Sequence, residues 1–268
     1  MTLISNMVWS PSDYVESSAL ARAAGEELLS RLDWMTLKPR VVLDLGCGTG
    51  EMSQRLRVRY PDATIVALDD SDPMIEHTRH HNSDLVCVCG EAGQLPLPAQ
   101  SIDLVFAHLL LPWHGDVRLV IRESRRVLRP DGVMIVTALG PDTLKEWHRQ
   151  LSGHVVPVFA DMHDLGDLML QEGLADPVLD VNYYTVTYRE RSNLIREMHG
   201  SGMLAGATAL SLLLEAAPGE DGVFPVTYEV VFAHAFAPPC SDEVPASSDG
   251  TVRVPLSHLR RRLRASGG

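Results

Sequence analysis

The sequence predicts a doubly wound, Rossmann-like α/β fold on a mostly parallel seven-stranded sheet, with a helical insertion before the last strand. Three observations carry that prediction. Short apolar runs at 41–45, 64–69, 85–89, 102–108 and 132–139 lack the clean alternation of a half-solvated strand, as strands covered on both faces do. Helical patterns separate them at 51–59, 72–81 and 116–128, and strands alternating with helices build parallel crossovers. The first run closes in a glycine-rich turn, VVLDLGCGTGE at 41–51, the place where such sheets receive ligands.

Taken in order, residues 15–36 set Leu20, Ala24, Leu28, Leu29 and Leu32 on one helical face, and residues 1–38 are expected to form an amino-terminal helical cover. The first strand, 41–45, feeds the glycine turn. The second, 64–69, ends in Asp69, and Ser71 is expected to cap the next helix with Pro73 in its first turn. LRPDG at 128–132 is expected to end a helix and turn tightly into the fifth strand. After residue 140, GPDTLKEWHRQL opens another helix and 161–173 is a second. Two β-rich runs follow at 177–188 and 224–237, with a helical insertion at 189–216 expected to cover the substrate side. One domain over 1–237 and a polar tail over 238–268 complete the organisation.

The chain's 268 residues suffice for a full core, and 45% hydrophobic with 22% charged residues is ordinary globular composition. No apolar run approaches the roughly 18 residues of a membrane span, and the first residues lack the basic-then-apolar order of a signal peptide. A cytoplasmic protein is expected, with no membrane partner. Cys47, Cys87, Cys89 and Cys240 form no C-x-x-C, so reduced, mostly buried thiols are expected rather than a disulfide framework. Lys and Arg number 23 against 35 Asp and Glu, a net charge of −12, which opposes a general affinity for nucleic acid. The basic runs at 122–129 and 258–264 are candidate local patches or solvated helix faces.

The glycine turn excludes two ligands. A dinucleotide fingerprint needs its third glycine one position later, where this chain has Glu51, an acid that repels a diphosphate. A phosphate-binding P-loop ends in Gly-Lys-Ser/Thr, and no lysine is present here. A cationic ligand without phosphate fits better. Asp44 and Glu51 are acids beside the turn, and Gly46, Gly48 and Gly50 let backbone approach a ligand. Asp69, at the end of the second strand, can accept both hydroxyls of a ribose. Glu91 and Ala92, after the third strand, can flank an adenine.

This set resembles the class I S-adenosylmethionine-dependent methyltransferases. The resemblance rests on DLGCGTG, Asp69, GEAGQLPLPAQSIDLVFAH and LRPDG, over roughly residues 40–140. It implies S-adenosyl-L-methionine as cofactor, with Gly46, Gly48 and Gly50 along the methionine part, Asp69 on the ribose, and Glu91 and Ala92 at the adenine. His108 stands where such enzymes often carry Asn or Asp, and is counted with the cofactor residues. The second half narrows the resemblance. LPWHGDVRLVIRESRRVLRPDGVMIVTALGPDTLKEW, DMHDLGDLMLQEGLADPVLD, YYTVTYRERSNLIREMHGSG and FPVTYEVVFAHAF are similar to the malonyl-[acyl-carrier protein] O-methyltransferases of biotin synthesis, over nearly 14–237. A related branch, resembling a complex I assembly-type protein hydroxylase, shares much of the pattern and stays open, as does another small-molecule methyltransferase.

The resemblance implies a malonyl thioester on an acyl carrier protein or coenzyme A. A carboxylate is already ionised at neutral pH, so no catalytic base is assigned. Arg196 is placed to hold the carboxylate, since arginine offers a planar fork, or else it lies on a solvated helix face. Tyr14 is placed to close over the cofactor, and Trp113, after the fourth strand, either meets substrate or packs. Two departures stand out: His199 replaces a lysine many relatives carry, and WSPSDYVESS replaces the usual RAA-containing lead into the first helix. Asp161, His163, Asp164 and Asp167 are read as a capped helix start rather than a metal site, and no metal is expected.

Overall fold

The structure, a computed structural model, describes residues 10–147, 161–203, 218–219 and 221–239. Its seven strands are β1 (Val41–Leu45), β2 (Thr64–Asp69), β3 (Val86–Cys89), β4 (Ile102–Ala107), β5 (Leu128–Leu139), β6 (Ala175–Tyr188) and β7 (Phe224–Phe236). They form one sheet in the order β3-β2-β1-β4-β5-β7-β6. All pairs from β3 across to β5 are parallel. β7 runs antiparallel to both of its neighbours.

Two faces of helices follow from the side-chain alternation. On one face Val42, Leu104, Phe106, Ile135 and Phe232 meet Leu28 and Leu32 of the first long helix region and Leu56 of the next. These belong to α2 (Ala19–Arg31) with its following 3-10 turn, and α3 (Glu51–Arg59). α4 (Asp72–His81) joins them through Ile75 against Ala67. On the other face Leu43, Val105, Met134 and Val231 meet Ile121 of α5 (Val117–Val127), and Leu165 and Met169 of α6 (Met162–Gln171). Two elements complete the first face: a short α1 (Pro11–Glu16), and α7 (Arg191–Gly200), whose Leu194 and Met198 enter its core. Crossovers leave β1 and β4 toward opposite sides, so a crevice opens at their carboxyl ends.

Several expectations need correction. LRPDG does not end before the strand: β5 begins at Leu128, with Asp131 at φ +62 and paired through its N–H to the Ala237 carbonyl. Arg129 therefore lies in β5 rather than on a helix. Ser71 occupies the cap position of α4 without a side-chain cap bond, and its N–H donates to Asp69 at 3.0 Å. The described part of the run after 140 enters a 3-10 turn, Lys145–Trp147, pinned when the Trp147 indole donates to the Pro225 carbonyl; the rest of the expected helix, from 148, lies outside the described residues. Cys47 is buried, but Cys89 is exposed, because β3 is an edge strand. Cys240, the tail from 240 and most of the insertion after 203 lie outside the described residues. No helix among the described residues is long and apolar enough to cross a membrane.

Candidate cofactor and acceptor site

The sheet places the glycine turn at the crevice between β1 and β4. Its three glycines all take positive φ, of 77°, 52° and 79° for Gly46, Gly48 and Gly50, a conformation side chains resist. Space divides their roles. A Cβ at Gly46 would lie 2.9 Å from the Leu110 side chain, and one at Gly50 would lie 2.6 Å from that of Thr78. A Cβ at Gly48 would meet only the Tyr14 ring, at 3.8 Å. Gly46 and Gly50 thus set packing against β4 and α4, while Gly48 faces the opening. Thr78 holds the turn from behind by donating its hydroxyl to the Gly48 carbonyl at 2.9 Å.

Two buried acids frame this turn. Asp44, at 1% exposure, accepts the Ser53 hydroxyl at 2.5 Å. Burial pushes its carboxyl up to about 7, with Asp69 adding to the effect and the Ser53 bond opposing it. Asp69 is oriented by two backbone donors, Gly48 N–H at 2.9 Å and Ser71 N–H at 3.0 Å. Burial outweighs both and raises it to about 6. Each Asp69 oxygen keeps lone-pair capacity for a further donor such as a ribose hydroxyl. Tyr14 lies in the field of Asp69, Glu51 and Asp44, and burial with those charges pushes its phenol up to about 12. Glu51 is not free, because Arg22 of α2 pairs with it at 3.1 Å.

These groups reject a diphosphate and suit a cation. Negative ligand charge would be set against Asp44, Asp69 and Glu51, whereas positive charge favours the ionised forms that burial disfavours. The residues therefore fit S-adenosylmethionine, whose sulfonium and amino groups are cationic.

The remaining sequence-predicted residues divide. Gly90 donates to the Asp69 carbonyl at 2.9 Å, which brings Glu91 and buried Ala92 to the same edge. His108 takes a different part. Its Nδ1 lies 2.8 Å from Thr137 Oγ1 and its Nε2 2.8 Å from the Ala21 carbonyl. A carbonyl only accepts, so Nε2 carries the proton and Nδ1 accepts from Thr137. Burial holds the ring down to about 4, hence neutral. Both nitrogens are committed to the protein, so His108 ties α2 to β5 rather than offering a ring nitrogen to a cofactor. Trp113 is half-buried in a 3-10 turn after β4 and packs on the first-face core. Arg196 is exposed: α7 turns Leu194, Glu197 and Met198 inward and leaves Arg196 and His199 outside. A pocket-lining role for the Arg196 guanidinium gains no support from that placement. Ser53, Arg22, Thr137 and Glu197 also build this region, and sequence reading missed them because their partners lie far along the chain.

The comparisons with known proteins agree with this geometry. A family model described as "Methyltransferase domain" matches residues 43–136. A malonyl-[acyl-carrier protein] O-methyltransferase from Methylovorus sp. is 35% identical, covering 94% of this chain and 91% of that protein. One of the same name from Halorhodospira halophila is 35% identical over 94% of this chain and 92% of its own. Among solved structures, the YcgJ protein from Bacillus subtilis superposes with a TM-score of 0.61 at 16% identity, covering 80% of this chain and 98% of that one. That likeness establishes the fold alone.

Proposed function

The chain belongs to the malonyl-[acyl-carrier protein] O-methyltransferase family, and from that premise we propose that it methylates the free carboxylate of a malonyl thioester on an acyl carrier protein, a step of biotin precursor synthesis. The observation that supports it best is the acid-framed, lysine-free glycine turn at the crevice, which suits a sulfonium cofactor. When bound, S-adenosyl-L-methionine supplies an electrophilic methyl group. Asp69 accepts the ribose hydroxyls, the turn from Gly46 to Gly50 carries the methionine end, and Glu91 and Ala92 flank the adenine. Asp44 lies beneath the turn, where a bound cation would favour the ionised form that burial disfavours. Tyr14 closes the front of the turn. A malonyl carboxylate needs no general base at neutral pH, so placement and dryness are what the chain must provide.

The relatives reported above carry the methyltransferase name, and the hydroxylase reading gains nothing from them. Incubation with labelled S-adenosylmethionine and malonyl-acyl carrier protein tests the proposal. The expected product is a labelled methyl ester that mild base releases as methanol. Cofactor binding without transfer to the malonyl group would sink the acceptor assignment.

A further inference from the structure

We propose that Gly200 and Glu197 of α7 are positioning residues for the cofactor site, clamping the α1–α2 corner so that Tyr14 is held over the glycine turn. The inference rests on the reading that this turn holds S-adenosylmethionine. α1 has six residues, none of them fully buried, and so short a helix does not persist by itself. Its position must be imposed from outside.

Four contacts impose it. At Gly200 the two chain segments touch: an added Cβ would lie 2.2 Å from Ser17 Oγ, 2.7 Å from Ser17 Cβ and 2.8 Å from the Asp13 carbonyl oxygen. Backbone cannot swing aside as a long side chain can, so glycine alone allows this approach. Ser17 is buried at the same point, and its hydroxyl donates to the Arg196 carbonyl at 3.2 Å. Glu197, itself buried, accepts the N–H of Ala19, the first residue of α2. That bond does the work of a cap, because Ser18 turns its own hydroxyl to the Val15 carbonyl at 2.9 Å. Finally, Arg22 donates to the Val15 carbonyl at 3.0 Å and to Glu51 at 3.1 Å, tying α1 to the start of α3.

α7 is in turn seated on the core by Leu194 and Met198. The cover of the cofactor turn is therefore seated on the core through α7. Cofactor held under Tyr14 should in turn order α7.

The test uses S-adenosylhomocysteine as the probe, with hydrogen exchange and calorimetry on the full chain. Binding is expected to slow exchange of the backbone amides of Leu194, Glu197 and Gly200 as well as those of the glycine turn. Gly200→Ala should weaken binding roughly tenfold, in the range of ordinary coupling energies. Adding Ser17→Gly removes two of the three clashing atoms but leaves the Asp13 carbonyl and deletes the bond to Arg196, so it should recover only part of the lost affinity. A wild-type chain that binds with α7 exchange unchanged overturns the clamp alone, as does a cooperatively melting Gly200→Ala variant of unchanged affinity. Should that variant not fold, the wild-type exchange result decides. A wild-type chain that does not bind overturns the cofactor reading, and the clamp with it.

Discussion

Asp44 and Asp69 sit one at each tip of neighbouring strands, and burial, by making both harder to ionise, has opposite consequences for binding and for stability. Asp69 must be charged to accept hydroxyls strongly, so affinity for S-adenosylhomocysteine should rise as pH climbs through about 6 and level off above it. Asp69→Ala should weaken binding by roughly 10- to 100-fold, the loss of charge-assisted hydrogen bonds, with calorimetry as the measurement. Retained affinity would remove Asp69 from the site. Asp44 concerns folding instead. Its folded value of about 7 lies above the ordinary carboxyl value of 3.8, so the folded chain holds the proton more tightly than the unfolded one. Stability from this group is therefore greatest at low pH and is lost as pH rises from about 4 to 7. Asp44→Asn keeps an oxygen for the Ser53 hydroxyl and removes the ionisation. The unliganded variant should melt higher than wild type at pH 8, by several degrees, and differ little at pH 4. An equal or lower melting point at pH 8 would falsify this account. Asp69 was legible in the sequence because it ends an apolar run at the expected distance. The Ser53 partner was not, because the sequence does not say which helical face meets Asp44.

At the level of elements, α2 is held on the sheet by His108 and Thr137 more than its own sequence reveals. Thr137 is buried, donates to His108 Nδ1 and accepts the Leu109 N–H at 2.9 Å. Thr137→Val preserves shape and strands both partners, so unfolding free energy should fall by about 2–4 kcal/mol, with chemical denaturation as the check. A loss under about 0.5 kcal/mol would show that water replaces the hydroxyl. The neutral ring adds a pH signature: His108, held near 4 in the fold, withdraws stability as pH falls from 6.5 toward 4. Most elements could be read directly. The apolar runs at 41–45 and 64–69 and the helices at 51–59 and 72–81 coincide with β1, β2, α3 and α4, because burial on fixed faces leaves a regular pattern. α1 fully buries none of its residues, so no pattern announced it. The start of β5 was hidden because Pro130 and Gly132 signal a turn, while pairing with β4 and with Ala237 carries the strand through them.

For the molecule as a whole, the net charge of −12 opposes an acidic carrier protein, so docking requires local positive charge. On α5 most of the positive charge is already engaged, with Arg125 donating to the Gly173 carbonyl. Arg118 and Arg122 are bound to Glu172, Arg126 to Glu123, and Arg129 of β5 to Asp103. Arg189 and Arg196, by contrast, are exposed beside and on α7, with no ion pair among the described residues. Arg191 packs its guanidinium on Phe224, so reversing it would disturb the core as well. Charge reversal at Arg189 and Arg196 together should raise KM for malonyl-acyl carrier protein severalfold, leave S-adenosylhomocysteine affinity unchanged, and matter less at high salt, where the Debye length falls to about 3 Å at 1 M. Equal loss with malonyl-coenzyme A would mean that these arginines do not dock the carrier. A last consequence follows from the strand order. β7 is made after β6 yet is inserted between β5 and β6, so it acts as a keystone. Until it arrives, a growing chain presents two unpaired sheet edges, Leu128–Leu139 and Ala175–Tyr188, both rich in β-branched and apolar residues. Such edges invite pairing with other chains. Ribosome-stalled or truncated products ending before Phe224 should therefore aggregate, even though every strand of the cofactor crevice has already been synthesised.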